Sequence, residues 1–226
     1  MQFVTEEGGL TGAGYALFII LAVAAVLVGA YIAGRYSTKK KMSVKQLAFC
    51  AMAIALAFVT SYVSIIKMPY GGTVTLFSML FIVLVGNWYG PAVGILVGFA
   101  YGVLQFIQDP YFLSVLQVCC DYLFAFGALG VSGFFRNQKN GLLKGYIAAV
   151  FARGVFASLA GYLFWMEYMP ENFPRSLAAV YPIVYNYMYL IVEGIFTVIL
   201  ILIPAVAKAL LQVKKLALDE TGTARI

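Results

Sequence analysis

The sequence predicts an all-α integral membrane protein, and composition and segment length carry this prediction. The chain of 226 residues is 63% hydrophobic and 11% charged, whereas a soluble domain carries about 25% charged residues. Its apolar stretches are long and continuous, without the alternation of a membrane β-strand. At about 20 residues a span, the chain accommodates about seven helices and short loops. Any nucleotide-driven motor must therefore be another chain, since no Gly-rich phosphate loop is present.

The first apolar segment, about residues 13–33, is predicted to be a retained transmembrane helix. Glu6 and Glu7 precede it where a signal peptide would have a basic region, and a basic run follows at residues 35–41. We therefore predict that the N-terminus lies outside the cell.

Six further segments follow, at about residues 46–66, 75–85, 91–107, 114–135, 145–168 and 178–211. With the N-terminus outside, only Lys67 and Arg175 among the loop cations fall outside, which satisfies the positive-inside rule. The expected location is the plasma membrane, with a cytoplasmic C-terminus. The net charge of +6 reflects this bias, so it gives no indication of nucleic-acid binding.

Small residues recur every four positions in two segments. The alanine pairs are Ala51/Ala55 and Ala53/Ala57, and their spacing alone favours packing within the bundle over contact with another subunit. A glycine stripe in the fourth segment predicts a tightly packed neighbouring helix, and it comprises Gly90, Gly94, Gly98 and Gly102.

Asp121 is the only charged residue in the apolar run 115–133. A carboxylate there costs roughly 2.5 kcal/mol or more on insertion scales, so it usually faces a cavity, a cation or a ligand. It lies about 15 Å below the outer loop at 109–111, at 1.5 Å per residue. Trp165, Tyr181 and Asn186 fall at a similar depth. An acid, aromatic rings and an amide at one depth favour a small-molecule pocket.

The same residues also have structural interpretations when each is taken alone. The aromatic side chains fit an interfacial belt, and Asn186 fits a hydrogen bond between helices. Arg153 fits an internal counter-ion for Asp121, while Glu193 lies deeper and has no assigned role. Taken together as a pocket, a carboxylate and aromatic faces suit a flat, nitrogen-rich cation.

Four motifs, in this order, resemble the thiamine-specific substrate-binding (S) component of energy-coupling factor (ECF) transporters, the ThiT/YuaJ family. They lie at residues 71–80 (GGTVTLFSML), 89–105, 121–130 (DYLFAFGALG) and 181–186 (YPIVYN). The resemblance covers about residues 43–215 and implies a six-helix bundle with an outward-facing vitamin site. Residues 1–42 would then be an additional N-terminal transmembrane helix with a basic linker, and 216–226 a cytoplasmic tail.

The resemblance also implies the substrate-binding residues. Asp121-Tyr122 is similar to an acid–tyrosine pair whose acid is usually glutamate in the family. The other residues implied are Tyr70, Tyr111, Arg153, Gly161, Trp165, Tyr181 and Asn186. The family's ligand-contacting histidine falls near Ala157, and this chain has no histidine. The implied ligand is therefore thiamine or a close relative, with no cofactor, metal or catalytic residue.

The resemblance implies that the protein captures its ligand from outside, with the loop at 69–73 closing over it. Uptake would be driven by a coupling membrane subunit and two ATPase subunits. Ala51 and Ala55 would form the face on which the coupling subunit docks. The alternative is a stand-alone proton-coupled secondary transporter in which Asp121 or Glu193 titrates. An enzyme is disfavoured, because no nucleophile–base set is evident.

Overall fold

The computed structural model describes residues 42–69 and 71–219. Within them, five helices are long and apolar enough to cross a membrane, and one shorter apolar helix accompanies them. The prediction of an all-α membrane bundle is thereby confirmed. The predicted first helix, at residues 13–33, and the predicted binding residue Tyr70 lie outside the described residues.

The helices follow one another with short connections and a small hairpin after the first. The elements are α1 (Val44–Ser61), β1 (Ser64–Lys67), β2 (Thr73–Thr75), α2 (Ser78–Tyr89), α3 (Pro91–Gln108), α4 (Val115–Phe135), α5 (Gly141–Phe164), α6 (Tyr181–Leu202) and α7 (Pro204–Leu218). Short 3-10 turns at Met166–Tyr168 and Arg175–Val180 join α5 to α6. We call the end of the bundle that carries β1 and β2 the hairpin end.

The hairpin replaces the end of the predicted second segment, which is helical only to Ser61. β1 and β2 pair antiparallel, with an irregularity between Ser64 and Ile66. Their β-branched residues favour strands, and Gly71 and Gly72 turn the chain with φ of 91° and 82°. Because the residues of β1 are mostly apolar, the sequence pattern did not distinguish this short sheet from the end of a membrane helix.

Helix α4 is continuous but irregular. Its α-helical start at Val115–Val118 passes into a π-helix at Cys119–Phe124, returns to α at Ala125–Gly127 and ends as a 3-10 helix at Ala128–Phe135. Asp121 lies in the π-helical part. Wide turns of this kind occur frequently at functional sites, and no pattern in the sequence predicted this one.

The glycine stripe of α3 packs closely against α4, as predicted. A Cβ at Gly98 would collide with the Phe126 carbonyl, and one at Gly102 would collide with the Tyr122 carbonyl. At Gly94 an added Cβ would lie 2.9 Å from the Cα of Gly130. The helix carrying Asp121 is therefore seated directly on the backbone of α3.

The predicted last segment, 178–211, is broken at Ile203 and Pro204. Ile203 is extended, with φ −65° and ψ 121°, and Pro204 opens α7 where its missing N–H costs nothing. α7 crosses the end opposite the hairpin. There Tyr89 donates a hydrogen bond to the carbonyl of Ala217 (3.1 Å), and Lys214 donates one to the side chain of Asn87 (3.0 Å).

The two alanine pairs of α1 face in different directions. Ala53 and Ala57 are buried, which confirms packing within the bundle for this pair. Ala51 and Ala55 are exposed on the opposite face of the helix.

Candidate functional site

A cavity of about 490 Å³ opens among the helices at the hairpin end. This volume lies within the range of small-molecule sites, roughly 300–1,000 Å³. Eight of the predicted binding residues line it: Tyr111, Asp121, Tyr122, Arg153, Gly161, Trp165, Tyr181 and Asn186. The fold thus brings together residues from α4, α5, α6 and the loop after α3, while their roles in binding remain predictions.

Asp121 is held on one side of its carboxylate only. Its Oδ2 accepts hydrogen bonds from Nε2 of Gln117 (2.7 Å) and Nε1 of Trp165 (3.0 Å). Its Oδ1 accepts no hydrogen bond from the part of the chain that the structure describes. Because a carboxylate has about four acceptor positions, Asp121 retains an oxygen for a ligand in the cavity.

Gln117 fixes the position of Asp121 from one helical turn away. It is fully buried, and its Oε1 accepts a hydrogen bond from the backbone N–H of Leu113 (3.1 Å). The side chain therefore bridges Asp121 to the loop before α4. Sequence analysis missed Gln117, although the signal was present: an amide four residues before an acid lies on the same face of a helix.

Trp165 lies within a cluster of aromatic rings at the mouth of the cavity. Its ring centroid is 4.8 Å from that of Tyr111 and 5.5 Å from that of Tyr168. The hydroxyls of Tyr111 and Tyr168 are 2.9 Å apart. This hydrogen bond is the largest cause that raises the pKa of Tyr111 to about 12.

The polar groups at the start of α6 are already engaged within the protein. Asn186 donates from Nδ2 to the carbonyl of Pro182 (2.9 Å) and accepts at Oδ1 from the Tyr189 hydroxyl (3.0 Å). Because the amide nitrogen carries two N–H groups, one of them remains for a ligand. Gly161 on α5 provides the space, since a Cβ there would lie 3.0 Å from this amide nitrogen.

Tyr122 braces the neighbouring loop. Its hydroxyl donates to the carbonyl of Asp109 (2.9 Å), and its ring packs edge-on against Phe106 at 4.9 Å. The hydroxyl proton is thus used inside the protein, so Tyr122 can offer a ligand only an acceptor oxygen.

Arg153 does not act as a counter-ion for Asp121 in this structure. The described residues place no carboxylate within 4.0 Å of its guanidinium group. Instead, its Cζ lies 4.2 Å from the centroid of the Phe126 ring, a cation–π arrangement. Ala157, one turn further along α5, is buried and does not contribute to the lining.

The cavity wall also contains residues that sequence analysis did not select. They include Thr75, Ser78, Gln105, Tyr168, Tyr185 and Tyr189. Thr75 and Ser78 reach the wall only because of the hairpin, which the sequence did not reveal. Gln105 is held by its own neighbours, donating from Nε2 to Ser61 (3.0 Å) and Gln108 (3.1 Å).

The chain is similar to known membrane proteins in sequence and in fold. The family model described as thiamine transporter protein (Thia_YuaJ) matches residues 47–213. Thiamine transporter ThiT of Bacillus subtilis (strain 168) is 28% identical over 167 residues, which cover 67% of this chain and 85% of that protein. The solved structure of ThiT from Listeria monocytogenes superposes with a TM-score of 0.56 at 24% identity, covering 71% of this chain and 96% of the other. This last likeness supports the bundle fold.

Proposed function

Because the chain belongs to the thiamine transporter protein family (Thia_YuaJ), we propose that it is the substrate-binding S component of an ECF-type importer. It captures thiamine, or a closely related cationic aminopyrimidine, from outside the cell for ATP-driven uptake. It performs no chemical reaction on this ligand.

The observation that carries the proposal is the carboxylate of Asp121, open at Oδ1 within an aromatic cavity. An open carboxylate oxygen accepts N–H groups, and a charge-assisted hydrogen bond of this kind is stronger than a neutral one. The amino group of an aminopyrimidine supplies such a donor. The bonds from Gln117 and Trp165 orient Asp121 before the ligand arrives, so little ordering is required on binding.

The rings around Asp121 accommodate the rest of the ligand. Trp165 and Tyr111 present aromatic faces, which attract a cationic ring electrostatically and by stacking. The free N–H of Asn186 and the lone pairs of Tyr122 fix polar edges, and Tyr181 closes the side formed by α6. Arg153 lies over the Phe126 ring. Because its guanidinium group is positively charged, it suits an oxygen of the ligand better than the ligand's cationic ring.

The exposed face of α1 supports the proposed partners. Ala51 and Ala55 are exposed, and small residues four apart let another helix approach closely. We place the coupling membrane subunit on this face, with two ATPase subunits beneath it on the cytoplasmic side. The hairpin end would face outward, in keeping with the distribution of loop cations.

Substitution of Asp121 tests the proposed pocket directly. Asp121→Asn removes the charge while keeping the shape, and thiamine affinity should fall on the order of 10- to 100-fold, as expected for one charge-assisted bond. Glu171→Gln is the matched control, because Glu171 is exposed and outside the cavity. Isothermal titration with purified protein measures both, and an unchanged affinity in Asp121→Asn would refute the assignment.

Proton-coupled transport by this chain alone is the alternative mechanism. Its test is uptake in cells that lack the ATPase subunits. Uptake that persists there and stops when the proton gradient is dissipated would replace the S-component proposal, whereas loss of uptake with retained binding supports it.

A further inference from the structure

Glu193 is a carboxylate buried in the middle of α6, and the proposed ligand site does not use it. It is 2% exposed and lies roughly 18 Å along the helix from Tyr181, at 1.5 Å per residue. A charged side chain in such a position is retained only where it has partners. Its surroundings therefore require an explanation separate from that of Asp121.

Among the described residues, the hydrogen-bond donors to Glu193 all lie in one short segment, residues 75–79, which joins the end of β2 to the first turn of α2. Oε2 accepts from the N–H of Thr75 (3.1 Å) and from its hydroxyl (2.8 Å). Oε1 accepts from the N–H of Met79 (3.3 Å). The hydroxyl of Ser78 lies 3.4 Å from Oε1 and 2.6 Å from the hydroxyl of Thr75, so it also supports the Thr75 donor. Both oxygens of the carboxylate are thus occupied.

This segment cannot cap α2 by itself. Phe77 stands at the N-cap position with a left-handed φ of 62° and has no side-chain oxygen to accept from the first turn. Glu193 supplies the missing acceptor and places a negative charge at the positive end of the helix dipole. Without Glu193, the N–H groups of Thr75 and Met79 would lose their hydrogen-bond acceptor in the interior of the protein.

Two residues of this segment, Thr75 and Ser78, line the ligand cavity. Further up the same face of α6, Tyr189 packs where Gly72 lacks a side chain, since a Cβ at Gly72 would lie 2.6 Å from the Tyr189 ring. One turn above, the Tyr185 hydroxyl donates to the carbonyl of Gly71 (3.0 Å). The hairpin is therefore fastened to α6 at three levels, four residues apart.

The three levels differ in strength. The contacts of Glu193 are buried and charge-assisted, and a low local dielectric strengthens such bonds. The contact of Tyr185 with Gly71 is a single neutral hydrogen bond at an exposed position. The strongest of these contacts therefore lies at the base of the hairpin, at Thr75.

We propose that Glu193 is a positioning residue of the binding site. It holds Thr75 and Ser78 in the cavity wall and anchors the hairpin on α6, so that the time a ligand stays bound depends on a residue that does not touch the ligand. This inference rests on the proposed function for its ligand, while the anchoring itself is measurable without one.

Glu193→Gln tests the proposal with little change in volume. One carboxylate oxygen becomes an amide donor that faces other donors, so glutamine cannot keep the bonds to both Thr75 and Met79. The dissociation rate of thiamine, followed by the recovery of tryptophan fluorescence after rapid dilution of the complex, should rise about fivefold, as for the loss of one net hydrogen bond. In the ligand-free protein, the amides of Thr75 and Met79 should exchange hydrogen faster.

A second pair of variants separates positioning from bulk stability. Thr75→Val removes the hydroxyl donor and keeps the branched shape, whereas Thr75→Ser keeps the hydroxyl. Thr75→Val should accelerate dissociation and Thr75→Ser should not. If Glu193 acts through Thr75, Glu193→Gln should add little to the rate in the Thr75→Val background.

Three results would overturn the proposal. They are an unchanged dissociation rate and amide exchange in Glu193→Gln, additive effects in the double variant, or equal rates for Thr75→Val and Thr75→Ser. The last comparison decides the matter should Glu193→Gln fail to fold. If the wild-type protein does not bind thiamine, the proposed function fails, and amide exchange at Thr75 and Met79 still decides the anchoring.

Discussion

Two acids lie inside apolar helices of this protein, and their surroundings differ. Asp121 receives two side-chain donors on a single oxygen and keeps the other oxygen towards a cavity. Glu193 accepts from the N–H and hydroxyl of Thr75 and from the N–H of Met79, with the Ser78 hydroxyl beside them, and both of its oxygens are occupied. An intramembrane acid with a spare acceptor position is a candidate ligand site, whereas an acid whose positions are filled holds the structure together.

This contrast predicts that removing the two acids will cost different amounts of folding stability. Glu193→Leu should lower the free energy of unfolding by about 3 kcal/mol, because it leaves buried backbone N–H groups without an acceptor. Asp121→Leu should cost much less, because Asp121 accepts only from side chains and its removal takes a charge out of an apolar helix. Unfolding in detergent micelles measures both. Equal losses in the free energy of unfolding would contradict the assignment of Glu193 to structure and Asp121 to ligand binding.

Gln117 provides a sharper test of how Asp121 is held. Gln117→Leu removes the 2.7 Å donor to Asp121 and leaves the N–H of Leu113 without its acceptor. Thiamine affinity should fall roughly fivefold, in line with one net hydrogen bond of about 1 kcal/mol. Titration calorimetry gives the value, with Gln138→Leu as the control on an exposed loop at the other end. Unchanged affinity would mean that Asp121 binds thiamine equally well without the hydrogen bond from Gln117.

The smallest expected effect concerns Trp165. Trp165→Phe keeps an aromatic face but loses the N–H donor to Asp121, so affinity should fall only two- to fivefold. The chain contains two tryptophans, and the other, Trp88, is buried beside Phe49 and Tyr89. Thiamine should therefore quench fluorescence in Trp88→Phe and not in Trp165→Phe. Quenching that depends on Trp88 would place the ligand elsewhere.

The membrane class and the convergence of the site residues were predictable from the sequence, and the contacts of the second acid were not. Asp121 stood out as the one charge in an apolar run, and the family resemblance supplied its neighbours on α5 and α6. The glycine stripe correctly predicted close packing, because its four-residue period depends on helix geometry alone.

What the sequence left out depends on contacts between distant parts of the chain. The strands β1 and β2 are short and lie within or beside apolar segments, so they were predicted to be parts of membrane helices. The π-helical turn around Asp121 and the break at Pro204 are local departures within apolar runs. The role of Glu193 follows only from the hairpin, which brings Thr75 to a residue 118 positions away.

The most direct test of the account pairs a change in the protein with a change in the ligand. Wild-type and Asp121→Asn proteins are titrated calorimetrically with thiamine and with the analogue in which oxygen replaces the pyrimidine amino group. If Asp121 accepts the amino group, the analogue should bind the wild type at least tenfold more weakly than thiamine, as for loss of a charge-assisted bond, and this difference should nearly vanish in Asp121→Asn. An equal loss in both proteins would show that Asp121 does not contact the amino group, and would contradict the proposed site.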